Sequence, residues 1–280
     1  TARGAGTSCA GNAIGPGIVL DTSRHMGRVI EVDPETRTAL VEPGAVHAAL
    51  QAQAVAAGLR FGPDPSSHTR CTVGGMIGNN ACGNRALGYG RTSDNVTGMS
   101  LLLADGRAVE TTTGVAGTPS LTGADDVVAA LTDLTDAHLA TIRTELGRFG
   151  RQVSGYALEH LLPEHGRDVG RMLVGSEGTL AVVMRARVRL VTDPPATCLV
   201  ALGFEDIYAA GDVAPALGRL GAVAAEGIDR RVVDVVRERR GPDHVPDLPK
   251  GAAWLFVEVT GESPAEALTH AQRIVAEVPA

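Results

Sequence analysis

Residues 72–90 read TVGGMIGNNACGNRALGYG, six glycines in nineteen positions, with Asn79, Asn80 and Asn84 among them. No other segment limits the fold so strongly. Glycine permits close backbone approach and left-handed dihedrals, but it weakens any regular element. A solvated linker would be polar throughout. This one carries Val73, Met76, Ile77, Ala81 and Cys82, so it must pack against something. It has no clean helical or strand period. The sequence therefore predicts an irregular loop that walls a flat ligand. Gly74, Gly75 and Gly78 remove side chains that would collide with it, while Thr72, Asn79 and Asn80 offer uncharged hydrogen bonds. The same reasoning predicts that without a ligand the loop is among the most mobile parts of the chain.

Two further glycine clusters flank it. Residues 2–11, ARGAGTSCAG, surround one cation, Arg3, with Gly4, Ala5, Gly6, Thr7 and Ser8. Successive amides in such a turn converge into a nest for an anion, and the hydroxyls add donors, so a diphosphate is the natural guest. The plainer alternative is an ordinary glycine turn before a strand. The cluster is not a Rossmann fingerprint, because no acidic residue ends a second parallel strand at the right distance. Nor is it a P-loop, since no G-K-[ST] follows. Residues 175–180, GSEGTL, join two apolar segments and can set a backbone edge beside a ligand ring. A tight β-turn accounts for them equally well.

Composition narrows the function class. Glycine makes up 35 of 280 residues, well above the usual roughly 7%, and it is clustered, which points to special backbone geometry. Aromatic residues are only 3%, so the core must be mostly Val, Leu, Ala and Ile. Net charge is −7, with no basic stripe interleaved with aromatics, which argues against nucleic acid. The longest apolar runs fall far short of the roughly 20 residues of a membrane span. Cys9, Cys71, Cys82 and Cys198 show no C-x-x-C spacing, which excludes a zinc knuckle or iron–sulfur motif here and fits a reducing cytoplasm.

The pattern of elements is mixed. GIVLDT (17–22) reads as a strand and residues 28–44 as two strands joined at Pro34-Glu35-Thr36. Residues 45–59 read as a helix with Ala45, Ala49, Ala52 and Ala56 on one face and a stop at Gly58. Residues 98–112 form a hairpin on Asp105-Gly106, 124–147 carry helical periodicity, and 171–192 read as strand, glycine turn and long strand. Composition shifts at Asp193-Pro194-Pro195. Beyond it strands and helices alternate, with Ser263 as an N-cap, as in an antiparallel sheet covered by helices on one face. The expected organisation is α+β, with a first domain over 1–195 and part of a second over 196–280. The chain opens directly on its glycine motif without a preceding strand, so the first domain is expected to lack its N-terminal part.

Candidates for direct catalysis fail one by one. His160 and His165 are five apart with Pro163 between them, and the other histidines, His47 and His68 included, stand singly in sequence. No H-E-x-x-H, metal-ligand spacing or nucleophile elbow occurs. Asp125-Asp126 and Glu205-Asp206 read as helix-start charges. No metal site is expected.

Taken in order, RGAGTS, then PDPSS with TVGGMIGNNACG and YG, then SGY with LVGSEGTLAVV, resemble the FAD-binding domain of the vanillyl-alcohol oxidase and p-cresol methylhydroxylase superfamily. Within it the chain looks most like FAD-linked D-lactate, glycolate and D-2-hydroxyglutarate dehydrogenases. CTVGGMIGNNACG and LPEHG with VGSEGT look like bacterial members that continue into a C-terminal iron–sulfur domain. The resemblance spans residues 1–195, and more loosely the beginning of a cap or substrate domain. It implies that Arg3, Gly4, Ala5, Gly6, Thr7 and Ser8 hold the FAD pyrophosphate. Pro63, Asp64, Pro65 and Ser66 would line the dinucleotide and the flavin, together with Cys71, Thr72, Gly74, Gly75, Gly78, Asn79, Asn80 and Gly83. Glu177, Gly178, Val182 and Val183 would meet the adenosine side, and Ser154-Gly155-Tyr156 would pack nearby.

Thr7 stands where histidine-linked relatives carry their linking residue, and Cys71 is out of step with the cysteine-linked pattern, so FAD is expected to be non-covalent. The resemblance implies hydride transfer from a D-2-hydroxy acid to flavin, with the substrate-binding, metal-binding and proton-accepting residues beyond Ala280. It leaves the electron acceptor and peripheral membrane association of a longer protein open. Two alternatives remain: another superfamily oxidase acting on an alcohol or sugar, and a flavin-binding module without catalysis.

Overall fold

Short parallel pairing opens the structure: β1 (Ala2–Arg3) lies beside β2 (Leu20–Asp21). This computed structural model describes residues 1–114, 120–150 and 152–279. The strand expected over 17–22 shrinks to two residues because β1 offers only two before its glycine turn, and Ile18 is left exposed. β3 (Val29–Asp33) and β4 (Thr38–Val41) pair antiparallel. Asp33 Oδ1 accepts from the Glu35 and Thr36 amides between them, the local bond that makes Asp a turn residue.

α1 (His47–Ala56) buries His47, Leu50 and Ala54. Within the helix the shared alanine face turns outward: Ala49, Ala52 and Ala56 are exposed, since burying Leu gains more than burying Ala. β5 (Leu59–Phe61), β6 (Val96–Leu102), β7 (Ala108–Thr112), β8 (Leu121–Thr122) and β9 (Val182–Thr192) complete the main sheet. Its order is β3-β4-β9-β6-β7-β8, with β5 also paired to β9. β9 alternates burial from Ala186 to Leu190 and carries Ala186, Val188 and Leu190 into the core with Ala39, Val41, Met99 and Leu101.

α2 (Val73–Asn79) occupies the stretch expected to be an irregular loop. α3 (Ala86–Tyr89) and α4 (Thr92–Asn95) are single turns after it. α5 (Asp125–Ala137) and α6 (Leu139–Glu145) break at His138. Asp126, read as a helix-start charge, pairs with Arg107 at 2.6 Å. α7 (Val169–Leu173) replaces the strand expected at 171–174. Asp168 caps it, accepting from the Arg171 amide at 2.8 Å, a start signal that the apolar run concealed.

The chain divides into two compact units, Thr1–Gly83 with Gly90–Thr192, and Asn84–Tyr89 with the chain from Asp193 on. In the second, β10 (Ala196–Phe204), α8 (Ile207–Arg219), β11 (Ala224–Asp229), α9 (Arg230–Arg240), β12 (Ala253–Gly261) and α10 (Pro264–Glu277) alternate. β12 runs antiparallel between β10 and β11. Val200, Leu202 and Phe204 of β10 meet Val257 and Val259 of β12 and Ala271 and Ile274 of α10 in one core. The period-two burial matches the sequence. Asn84–Tyr89 joins this unit through Arg85, whose guanidinium reaches Glu258 at 2.9 and 3.1 Å.

Candidate functional site: a glycine-lined cleft

Three glycines in seven residues make α2 a poor helix on propensity alone, so its order comes from bonds to its surroundings. Thr72 is the N-cap, its hydroxyl accepting from the Gly75 amide at 3.2 Å. The Val73 and Gly74 amides donate to the carbonyls of Ala45 and Pro43 at 2.8 and 2.7 Å. Gly74 is required there: a Cβ on it would sit 2.6 Å from Pro43 Cβ. Val73, Met76 and Ile77 face the core. Asn80 ends the helix in a left-handed conformation, φ 49°, a position that Asn tolerates better than most residues.

The GSEGTL turn docks on the other end of α2. Its Gly175 and Glu177 amides donate to the carbonyls of Ile77 and Gly78 at 2.8 and 2.9 Å, satisfying acceptors that a helix end leaves open. Gly175 and Gly178 hold φ of 96° and 70°, and Glu177 adopts φ 56° despite its side chain. Asn79 Nδ2 reaches Glu177 Oε1 at 3.4 Å. Thr179 accepts or donates with the Tyr156 hydroxyl at 2.8 Å.

The RGAGTS segment closes the third side. A Cβ on Gly4 would collide with the Thr72 hydroxyl, so the segment lies against the cap of α2 with no room for a side chain. Arg3 lies beneath the Gly6 turn, 3.8 Å from Asp21, and its buried Nε has no hydrogen-bond partner among the described residues. The amides of Ala5, Gly6, Thr7 and Ser8 likewise find no protein acceptor among the described residues. Four open N–H groups beside a guanidinium fit an anionic guest. Between these walls lies a cleft of about 200 Å³, floored by Met99 and Leu101 of β6 and by Val182 and Val183 of β9.

Comparison with known proteins identifies this architecture. Residues 1–112 match a family profile described as an FAD binding domain. Over these residues the chain is similar to that family. The chain is 32% identical over 247 residues to a D-2-hydroxyglutarate dehydrogenase of Pantoea ananatis, covering 85% of this chain and 24% of that protein. It is 31% identical over 209 residues to the glycolate oxidase subunit GlcD of Bacillus subtilis, covering 74% and 35%. The chain thus spans about a quarter to a third of the length of these curated relatives. A solved alkyldihydroxyacetonephosphate synthase shares the fold at a TM-score of 0.67 and 15% identity, over 99% of this chain and 45% of its own. The α+β, PCMH-type fold expected from the motifs is the one observed.

In the cleft most of the residues singled out in the sequence converge. Arg3 through Ser8, Pro65, Cys71, Gly74, Gly75, Gly78, Asn79, Glu177, Gly178, Val182 and Val183 all line the cleft. Ser66, Asn80 and Gly83 lie instead along an adjoining recess of about 630 Å³ with Ser154, Gly155 and Tyr156. Pro63, Asp64 and Thr72 line neither. Pro63 gives its carbonyl to His47 at 2.8 Å, Asp64 pairs with Arg60 at 3.5 Å, and Thr72 is the helix cap. Asn80 spends its Oδ1 on the Ser93 amide at 3.0 Å, so its side chain is structural. Ser176, Ala181, Leu173, Thr22 and Pro43 are lining residues that the sequence reading missed. Only adjacency to the glycine motifs marks Ser176 and Ala181, and nothing in sequence marks Thr22.

Two titratable groups near the cleft are shifted. Burial pushes the Cys71 thiol above its ordinary value, so it stays protonated and weakly nucleophilic at neutral pH. Burial also holds the His47 imidazole below its ordinary range, partly countered by its bond to Pro63.

Proposed function

We propose that this chain is the flavin-holding part of a dehydrogenase for a D-2-hydroxy acid of the lactate, glycolate or 2-hydroxyglutarate type. The observation that carries the reading is the convergence of RGAGTS, α2 and GSEGTL on one cleft, with four open amides beside Arg3 at one side and unobstructed space over Gly78 at another. Relatives named as D-2-hydroxyglutarate dehydrogenase and glycolate oxidase support the substrate class. Held there, FAD would supply a hydride acceptor for the α-carbon of the substrate.

The chain's own residues have binding and orienting roles. Arg3 and the amides of Ala5 to Ser8 hold a diphosphate. Gly78 keeps one face of the cleft free of a side chain, Gly74 lets α2 close on Pro43 behind it, and Met99, Leu101 and Val183 keep water from the other face. Thr7 offers no link to flavin, and the protonated Cys71 is a poor nucleophile, so we assign non-covalent binding. We assign no catalytic base within this chain. The second unit is read as the beginning of a cap or substrate domain. A cytoplasmic location is supported by four free cysteines. Among the described residues no helix is long and apolar enough to cross a membrane.

An absorption spectrum of the purified protein tests the reading. The expected result is a flavin spectrum whose chromophore leaves the protein on acid precipitation. A colourless protein that added FAD does not restore overturns it. Flavin that stays with the precipitate overturns the non-covalent assignment alone.

A further inference from the structure

Outside the cleft, the fold gathers three residues that the sequence keeps apart. His47 is the first residue of α1, Asp64 follows β5, and His68 lies in the turn after it. Each brings a ligating atom to within 4.8 Å of the other two. None of the three side chains lines the cleft or the adjoining recess. His47 is 1% exposed. Its Nε2 lies 2.8 Å from the Pro63 carbonyl. A carbonyl only accepts, so Nε2 carries the proton and Nδ1 the lone pair. That Nδ1 is buried and has no hydrogen-bond partner among the described residues. A buried acceptor without a donor needs an explanation, and a cation supplies one.

We infer that His47, Asp64 and His68 form a binding site for a divalent transition-metal ion, zinc being the best match. Two imidazoles with one carboxylate are a borderline ligand set that suits zinc and leaves its fourth position to water. The bond from Nε2–H to the Pro63 carbonyl is the outer contact that fixes the tautomer and orientation of a ligating histidine. Asp64 places one carboxylate oxygen 3.5 Å from Arg60, and a carboxylate has lone pairs for a second partner. Ligands about 2.0–2.1 Å from a tetrahedral zinc stand roughly 3.4 Å apart. From separations of at most 4.8 Å the cluster therefore has up to about 1.4 Å to contract, which the exposed His68 side chain can do by rotation. Its backbone is already fixed: the His68 amide donates to Pro65, and its carbonyl accepts from Ala48 at 3.1 Å. A bound ion ties the start of α1 to the PDPSS turn, without entering the cleft.

The test is zinc uptake by the purified protein after chelation and desalting, measured by atomic emission at one equivalent of added zinc. Wild type should retain about one zinc per chain. His68→Ala alters an exposed residue and should retain at least tenfold less zinc with unchanged flavin content. Asp64→Asn should fall between them. Cobalt in place of zinc should give the intense visible bands of a four-coordinate site in wild type only. The assignment is overturned if the wild type retains no zinc, or if His68→Ala retains as much as wild type. The flavin spectrum is independent of both outcomes.

Discussion

α2 and the 175–178 turn are both rich in glycine and they touch end to end, yet they use glycine for different reasons. In α2 the dihedrals are helical, and Gly74, Gly75 and Gly78 are absent from the left-handed region. There glycine provides space. In the turn, Gly175 and Gly178 sit at φ 96° and 70°, where glycine provides conformation. The space in α2 divides again. The missing Cβ of Gly74 faces Pro43 at 2.6 Å, whereas that of Gly78 meets nothing nearer than 3.8 Å. One glycine makes room for the protein, and the other leaves room that no protein atom fills.

The largest effect should come from Gly74→Ala. In an ordinary helix interior this change gains up to about 1 kcal/mol. Here the new methyl overlaps the Pro43 side chain and carbonyl, so we expect a net loss of about 1–3 kcal/mol from overpacking. The Gly74 amide bond to Pro43 should break with it, and flavin content should fall. Urea unfolding of the flavin-free protein measures the first effect. Unchanged stability would mean that α2 shifts freely, and the distinction from Gly78 would collapse.

Gly78→Ala should do the opposite to the fold. With no protein atom in the way, apoprotein stability should rise by up to about 1 kcal/mol through helix propensity. FAD affinity should fall by roughly tenfold or more, equivalent to about 1.4 kcal/mol. Fluorescence titration with FAD beside the urea curve separates the two. If stability rises and affinity is unchanged, the space over Gly78 does not belong to the cofactor.

The same contrast explains what could be read from sequence. Strand alternation in β9, β10 and β12 and the Ser263 cap were legible because burial has period two and caps have fixed chemistry. The glycine clusters marked the cleft because missing side chains amid apolar residues signal a close approach, whether by protein, as Pro43 meets Gly74, or by a guest, as the open space over Gly78 allows. The helical state of 73–79 was not legible. Its propensity is poor, and the bonds that hold it come from Pro43, Ala45, Gly175 and Glu177, which are distant in sequence. Asp64 was read as a cofactor residue because it lies within PDPSS, but its neighbours His47 and Arg60 precede the motif and capture it through folding. Membership of Asn84–Tyr89 in the second unit rests on Arg85 meeting Glu258 and on the Gly88 amide donating to the Val223 carbonyl, pairings that no local pattern encodes.

The smallest effect tests the turn. Glu177 holds φ 56° with a side chain present, a conformation that costs a non-glycine residue about 1–2 kcal/mol. Glu177→Gly removes that strain but adds freedom to the unfolded chain, so the net gain should be about 0.5 kcal/mol. The contact given up is the 3.4 Å bond from Asn79, at the exposed end of both side chains, which is worth little. If the Glu177 carboxylate only packs the turn, FAD affinity should be unchanged while the unfolding midpoint rises slightly. If it holds the adenosine side of the cofactor, affinity should drop several-fold against that rise. The adenosine assignment to Glu177 therefore predicts opposite signs for stability and binding in one variant, and an unchanged or raised affinity would remove it.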